Sequence, residues 1–280
     1  MAGMLYLVPT PIGNLGDLSP RAAEVLAGVD FLAVEDTRVT IKLLNHLGLK
    51  KRMLPYHRHN TAPAGQAILE RLLSGESGAL VTDAGTPAIS DPGEGLVALC
   101  AAHEIAVCAL PGPCALVTAL AVSGLPTGRF SFEGFLPTHR KNRRARLETL
   151  AGEDRTMVLY EAPHKLRDTL DDLAAVLGPD RPITLCRELT KLHEEIVRTT
   201  LSGAVARHRD TEPRGEYVLV VAGAVPQEEA PDPQQALARV EQLRREGLSL
   251  KEAAARTAAE TGLKKRMLYD LALGKTLVEE

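Results

Sequence analysis

Through the first 124 residues, short β-rich runs alternate with amphipathic helical stretches, and this alternation restricts the fold more than any other feature. The β-like runs are Leu5–Val8, Phe31–Val34, Ala79–Thr82 and Ile105–Leu110, with a weaker one at Met53–Tyr56. Between them the apolar spacing is helical over Pro20–Ala27, Ile41–Leu47, Pro63–Ser74, Gly93–Ala102 and Ala115–Ser123. A chain that must make a helix before its next strand builds crossovers rather than hairpins, so the pattern predicts βαβ units and a mainly parallel sheet. Helix starts are marked as well. Ser19 before Pro20 reads as an N-cap with a first-turn proline, and Asp91-Pro92-Gly93-Glu94 as a capping box.

Around GLPTGR (Gly124–Arg129) the pattern breaks and a second series begins. Its strand candidates are Ser131–Phe135, Met157–Tyr160, Ile183–Arg187, Ile196–Leu201 and Tyr217–Val221, with helical stretches at Asn142–Leu150 and Lys165–Leu177. The later strands lie close together along the chain, which predicts a mixed sheet. Acidic, proline-rich VPQEEAPDPQQ (Val225–Gln235) reads as a linker, and the residues beyond it are helical in pattern with turn signals at Gly247 and Gly262. The expected organisation is two α/β domains, over residues 1–124 and 125–225, and a linker with a helix-turn-helix-like appendix over 226–280. No internal repeat stands out.

An apolar content of 45% over 280 residues can fill real cores. No apolar run approaches the roughly 20 residues of a membrane span, and the N-terminus lacks the basic start of a secretory leader. Cys100, Cys108, Cys114 and Cys186 lie in apolar segments without a C-x-x-C pair, so thiols of a reducing cytoplasm are expected, and no metal site. The net charge of −3 argues against wholesale coating of nucleic acid, but HRKNRRAR (His139–Arg146) concentrates five basic residues. Without Trp, and with few other aromatics, the chain advertises no extensive base stacking.

Ligands of open α/β sheets bind beyond the carboxyl ends of the strands. Four loops at such ends are rich in Gly, Pro or charge: PTPIGNLGDLS after the first strand, EDTR (Glu35–Arg38), DAGTPAISDPG (Asp83–Gly93) and PGPCA (Pro111–Ala115). Each alone is a tight turn; four at corresponding positions point to a ligand. The first loop has neither the Lys of a P-loop nor the three glycines of a dinucleotide fingerprint. Backbone-rich loops without cations suit a ligand carrying little phosphate, with an adenine and a zwitterionic end that want amide partners.

Together, VPTPIGNLGDLS, AVEDTR, LVTDAGTPAISDPG, LPGPCALVTAL, FEGFLP, YEAPHK and RELTKLHEE resemble the ribosomal RNA small-subunit methyltransferase I group, a branch of the tetrapyrrole methylase superfamily. The resemblance runs from about Leu5 to Val225, and the helical appendix is similar to the group's own. It implies a dimeric, two-domain α/β enzyme with S-adenosylmethionine in the cleft between the domains. The reaction it implies is methylation of a cytidine ribose 2′-hydroxyl in the decoding region of small-subunit (16S) rRNA. By the same resemblance the cofactor contacts Pro11, Gly13, Asp83, Ala84, Gly85, Thr86, Ile89, Cys114 and Ala115. From the second domain it contacts Tyr160, Glu161, Ala162, Arg187, Gly215 and Glu216. Where the wider superfamily carries G-x-D-P, this chain has Ala84-Gly85-Thr86-Pro87, which argues against a porphyrin substrate.

Methyl transfer from a sulfonium has a neutral leaving group and needs no metal; the protein must align the reacting atoms and exclude water. Candidates for activating the hydroxyl are Asp36, Arg38, Glu133, Glu161, His164 and Lys165, and the residues alone single out no general base. Asp36 and Arg38 read equally as a strand-end ion pair beside a helix cap at Thr37 or Thr40, and Lys165 as a solvated first-turn residue. For the rRNA, Arg140, Lys141, Arg143, Arg144 and Arg146 form one candidate surface, and Lys264, Lys265 and Arg266 another. His57–His59 with Asn60 could line the cleft mouth. The competing readings are a solvated helix face and an assembly bundle. At the level of function they are a small-molecule methylase on the same fold and a non-catalytic RNA-binding assembly factor.

Overall fold

A computed structural model describes residues 2–225 and 232–273 of the chain. Met1–Ala224 form one compact unit and the residues from Val225 onward a second. The first unit holds two five-stranded sheets.

In the first sheet, β1 (Met4–Leu7), β2 (Phe31–Val34), β3 (Arg52–Pro55), β4 (Gly78–Val81) and β5 (Ala106–Ala109) lie in the order β3-β2-β4-β1-β5. Every pair is parallel. β2 and β4 are buried at every position, the continuous apolar pattern of strands covered on both faces. One face packs on α3 (Thr61–Leu73) and α4 (Glu94–Ala102), through Ile68, Leu69, Leu72, Leu96 and Cys100. The other packs on α1 (Pro20–Gly28) and α2 (Thr37–His46), through Ala22, Leu26, Leu43 and Leu44. Gly78 is required locally: a Cβ there would lie 2.3 Å from the Phe31 ring on the neighbouring strand.

The connection from β1 goes to β2 on one side, and that from β4 to β5 on the other. The direction of winding therefore reverses between adjacent β1 and β4, which makes their carboxyl ends the natural ligand crevice.

Two helix starts differ from expectation. α2 begins at Thr37, four residues before the apolar spacing begins, because the Asp36 carboxylate accepts from the Arg38 amide at 2.8 Å and caps it. The capping box expected at Asp91 is absent: α4 is capped by Gly93 without any side-chain bond. Ser19 caps α1 ahead of Pro20, as expected.

The second sheet consists of β6 (Phe130–Phe135), β7 (Thr156–Glu161), β8 (Pro182–Arg187), β9 (Glu195–Thr200) and β10 (Tyr217–Val221) in the order β6-β7-β10-β8-β9. Only β6 and β7 are parallel, so the sheet is mixed. One face packs on α6 (Arg140–Leu150), α7 (Leu166–Leu177) and α8 (Leu201–His208), through Leu147, Leu170, Leu173 and Leu201. α8 was not foreseen; it is a two-turn helix capped by Thr200, which accepts from the Gly203 amide. The opposite face packs on α5 (Ala115–Val122), the helix after β5 of the first sheet, so α5 ties the two halves together.

In the second unit α9 (Pro233–Arg245), α10 (Leu250–Thr261) and α11 (Lys265–Ala272) enclose their own core of Ala236, Val240, Leu243, Ala253, Ala254 and Leu268. Ser249 and Glu252 form a reciprocal capping box, and Gly262 (φ 72°) makes the left-handed turn that ends α10. Of the linker expected over Val225–Gln235, residues 226–231 lie outside the described residues, and α9 starts at Pro233. Among the described residues no helix is long and apolar enough to cross a membrane.

Candidate active site

The four strand-end loops are joined through the third. Thr10 after β1 exchanges backbone hydrogen bonds with Gly85 (2.9 and 3.0 Å), and its buried hydroxyl donates to the Thr82 carbonyl at 3.1 Å. The Asp36 amide of the second loop donates to Asp83 Oδ1 at 3.2 Å. Thr86 Oγ1 donates to the Pro113 carbonyl of the fourth loop at 2.8 Å. Gly85 (φ 87°) supplies the left-handed conformation this junction needs.

Against these loops stand the ends of β7 and β8 and the start of β10, and between them lies a cavity of about 560 Å³, within the usual range for small-ligand sites. Its floor and walls are apolar at Ile12, Ile89, Ala115, Leu189 and Val218, and Phe135, 54% exposed, stands at its edge. Tyr160 anchors one wall: its hydroxyl accepts from the Leu116 amide at the start of α5 (3.0 Å), and burial above all pushes its pKa up to about 12. Cys186 is also a lining residue, but burial raises its thiol to about 11, which leaves it a poor nucleophile.

Three carboxylates, Glu35, Asp83 and Asp91, line the same cavity. Burial, and then the neighbouring Asp83 charge, raise the pKa of Glu35. Asp83 is raised by burial and by Asp36. Asp91 is pushed up to about 6, first by burial and then by Glu35, with Arg58 acting in the opposite sense. Arg58 also donates to the Ser90 carbonyl at 2.6 Å. Among the described residues, positive φ at non-glycine positions occurs at Ala88, Ser90, Glu104, Glu188 and Thr190. All but Glu104 lie on the two loops that face each other across the cavity, the kind of backbone strain found at functional sites.

The cavity brings together Asp83, Ala84, Gly85, Thr86, Ile89, Cys114, Ala115, Tyr160, Glu161, Ala162 and Glu216 of the expected cofactor set, and His164 of the catalytic candidates. Pro11, Gly13, Arg187 and Gly215 lie outside the lining. A Cβ on Gly13 would strike Lys191 at 2.4 Å, and one on Gly215 would strike Glu188 at 2.5 Å, so both glycines serve close packing. Arg187 faces a separate cavity with Arg207 and Arg214, donating to the Arg214 carbonyl at 2.7 Å.

Several candidates are engaged elsewhere. Asp36 and Arg38 form an ion pair at 2.5 Å with the Arg38 side chain 88% exposed, away from the cavity lining. Glu161 is buried with both oxygens occupied, accepting from the Ala162 amide (2.8 Å) and Thr169 Oγ1 (2.6 Å). Lys165 donates to Thr138 Oγ1 at 3.1 Å. Glu133 and Arg146, one a catalytic and one an rRNA candidate, pair with each other at 2.6 Å.

The basic run needs a sharper correction. Arg143 is no surface cation: its side chain is 4% exposed and pairs at 2.7 Å with the buried carboxylate of Asp172. Arg144 (2.7 Å) and Arg140 (3.5 Å) converge on the same carboxylate but stay partly exposed, and Lys141 is exposed. In the second unit, Lys264, Lys265 and Arg266 stand exposed at the start of α11.

Sequence reasoning missed Glu35, Asp91, Phe135, Leu189 and Lys191 of the lining. Asp91 was hidden by its likeness to a helix cap. Leu189 and Lys191 fall within RELTKLHEE and Phe135 within FEGFLP, segments that stood out without giving these residues a role.

A parallel sheet with its strand-end cavity closed by a second, mixed sheet is the architecture of the tetrapyrrole methylases. The family model for tetrapyrrole (corrin/porphyrin) methylases matches residues 4–205, and that for the RsmI C-terminal HTH domain matches residues 229–276. The ribosomal RNA small subunit methyltransferase I of Synechocystis is 48% identical over 97% of this chain and 98% of its own. That of Escherichia coli O157:H7 is 48% identical over 97% and 95%. Among solved structures, the methyltransferase CobJ superposes with a TM-score of 0.60 at 20% identity, covering 80% of this chain and 95% of its own. Uroporphyrin-III C-methyltransferase from Thermus thermophilus, complexed with S-adenosylhomocysteine, does so with a TM-score of 0.55 at 20% identity, covering 79% and 97%. The chain belongs to the tetrapyrrole methylase family, in the branch of the ribosomal RNA small subunit methyltransferases I, and is a methyltransferase.

Proposed function

We propose that the chain transfers a methyl group from S-adenosylmethionine to the ribose 2′-hydroxyl of a cytidine in the decoding region of small-subunit rRNA. The observation that carries this reading is the make-up of the cavity. Ala84–Thr86 and Cys114–Ala115 line a cavity with apolar residues and with the carboxylates of Glu35, Asp83 and Asp91, and the first loop has no phosphate-anchoring lysine. That set fits a ligand combining an adenine, a thioether-like chain and positive charge. When bound, the cofactor supplies an electrophilic methyl on a sulfonium whose departure as a thioether needs no proton.

The chain's own work is to orient and to take one proton. Loops locked to each other through Thr10, Asp83 and Thr86 hold the ligand's surroundings rigid. The apolar wall from Ile12 to Val218 excludes water. The 2′-hydroxyl must lose its proton as the carbon–oxygen bond forms, and Asp91, poised near 6, is the lining carboxylate suited to accept it. Lys141 and the exposed parts of Arg140 and Arg144, with Lys264, Lys265 and Arg266, supply phosphate contacts in this reading. Homologues named for ribosomal RNA support the substrate class, and so does the match of the helical second unit to the RsmI C-terminal HTH domain. The reading includes action in the cytoplasm, in line with four free thiols, as a homodimer.

The test is transfer from methyl-labelled cofactor to small subunits that lack the modification, with nuclease mapping of the product. Label in a cytidine ribose is expected. Cofactor binding without any transfer to small subunits or naked rRNA would refute the reading.

A further inference from the structure

The structure assigns to Phe135 the role of a stacking platform for a nucleobase of the substrate strand; this rests on the proposed rRNA activity. Phe135 is a large apolar side chain left 54% exposed, and it stands at the lip of the cavity. Its position is built rather than incidental.

In β6, Phe132 pairs with Val158 and Phe135 with Tyr160, although the phenylalanines stand three positions apart and their partners only two. A regular strand would turn residues three apart to opposite faces. A bulge between Phe132 and Gly134, with Gly134 at φ 60°, absorbs the extra residue. Phe135 thus joins Phe132 and Tyr160 on the cavity face, while Glu133 turns away to Arg146 of α6.

Phe132 and Phe135 both meet Tyr160 in T-shaped contacts, with ring centroids 5.0 and 5.6 Å apart. The contact between Phe135 and Tyr160 is inclined at 66° rather than face to face, and Phe135 keeps just over half of its surface exposed. His164, on the loop after β7, lines the same cavity. An exposed ring backed by a rigid aromatic and set beside a small-ligand cavity is the chemistry that holds an unstacked base in single-stranded RNA recognition. A base seated there would bring its ribose toward the cavity, where the methyl is delivered.

The chain has no tryptophan, so Phe135→Trp introduces a single indole reporter at the proposed stacking site. Three variants are compared with the unaltered chain, by kcat/KM for unmethylated small subunits and by calorimetric affinity for S-adenosylhomocysteine. F135A is expected to lose about tenfold or more in kcat/KM, while its S-adenosylhomocysteine affinity stays within about twofold. F135L, apolar but without a ring, is expected to be similarly impaired, and F135W to restore transfer. The emission of F135W is expected to be quenched by an rRNA fragment and not by S-adenosylhomocysteine alone. F135A within about twofold of the unaltered chain, leucine serving as well as tryptophan, or an equal loss of S-adenosylhomocysteine affinity would each overturn the inference while leaving the rRNA reading intact. No transfer by the unaltered chain would overturn both.

Discussion

At Asp172 three arginines from the first turns of α6, Arg140, Arg143 and Arg144, converge on a single carboxylate that is 1% exposed. Burial opposes its ionisation, but hydrogen bonds and charge from Arg144 and Arg143 prevail and hold its pKa below the ordinary value. Removing one partner of a buried pair strands the other, so Asp172→Asn should destabilise the chain by roughly 3–5 kcal/mol, read from urea unfolding. Because the folded pKa is depressed, the pair's contribution is present above the unfolded value near 4 and lost as pH falls through the folded value. The gap between the unaltered chain and D172N should therefore narrow below about pH 4. No spacing rule could have shown this, since Asp172 lies 29 residues from Arg143 and the basic run read by itself looks like a solvated face. Asp91 behaves oppositely. Its folded pKa of about 6 lies above its unfolded value, so stability present at low pH is lost as pH rises through 6. Asp91→Asn should accordingly raise Tm relative to the unaltered chain at pH 8, by less at pH 5, while slowing methyl transfer at both. A Tm difference that does not change with pH would mean that Asp91 carries no strained charge.

The order and type of most elements were legible because each needs only local information: a run of β-branched and apolar residues, a helical apolar spacing, a cap such as Ser19. What was not legible depends on partners far along the chain. α2 starts early because Asp36 turns back on Arg38, and α8 is too short and too rich in small residues for its period to stand out. The bulge in β6 is invisible in FSFEGF, since the sequence has no mark for an extra residue until β7 provides the register. The loops of the site were recognisable by composition, yet the hydrogen bonds that join Thr10, Asp83 and Thr86 into one floor were not. Sheet packing gives an element-scale test at Gly78, which pairs with Phe31 and lies beneath its ring. Neither strand can retreat, because both are central and buried at every position. Gly78→Ala should cost roughly 1–3 kcal/mol through overpacking, measured as a lower denaturant midpoint at unchanged m-value. A neutral result would show that the Phe31 ring can move aside.

Every residue that lines the cavity falls between Ile12 and Val218, within the first unit. That unit has four apolar cores of its own, and the helical unit has a separate one. The two parts of the chain thus do not need each other's cores to fold. A chain ending at Ala224 should fold and bind S-adenosylhomocysteine with the affinity of the full chain. Its affinity for rRNA should fall, and in a manner that identifies the cause. Lys264, Lys265 and Arg266 are exposed, with the Arg266 side chain 96% accessible although it stands 3.8 Å from Asp270. Each cation that neutralises a phosphate contributes about 0.7 to 0.9 to the slope of log affinity against log salt concentration. Full engagement of all three would make the truncated chain's slope shallower by about 2 to 3. A triple alanine variant at these positions in the full chain should reproduce most of that change while leaving the helical core intact. If truncation lowers affinity but the slope stays the same, the helical unit meets its partner through other surfaces, and the assembly-bundle reading gains. If the triple variant also matches the full chain in affinity, the phosphate contacts must come from Arg140, Lys141 and Arg144 on the first unit.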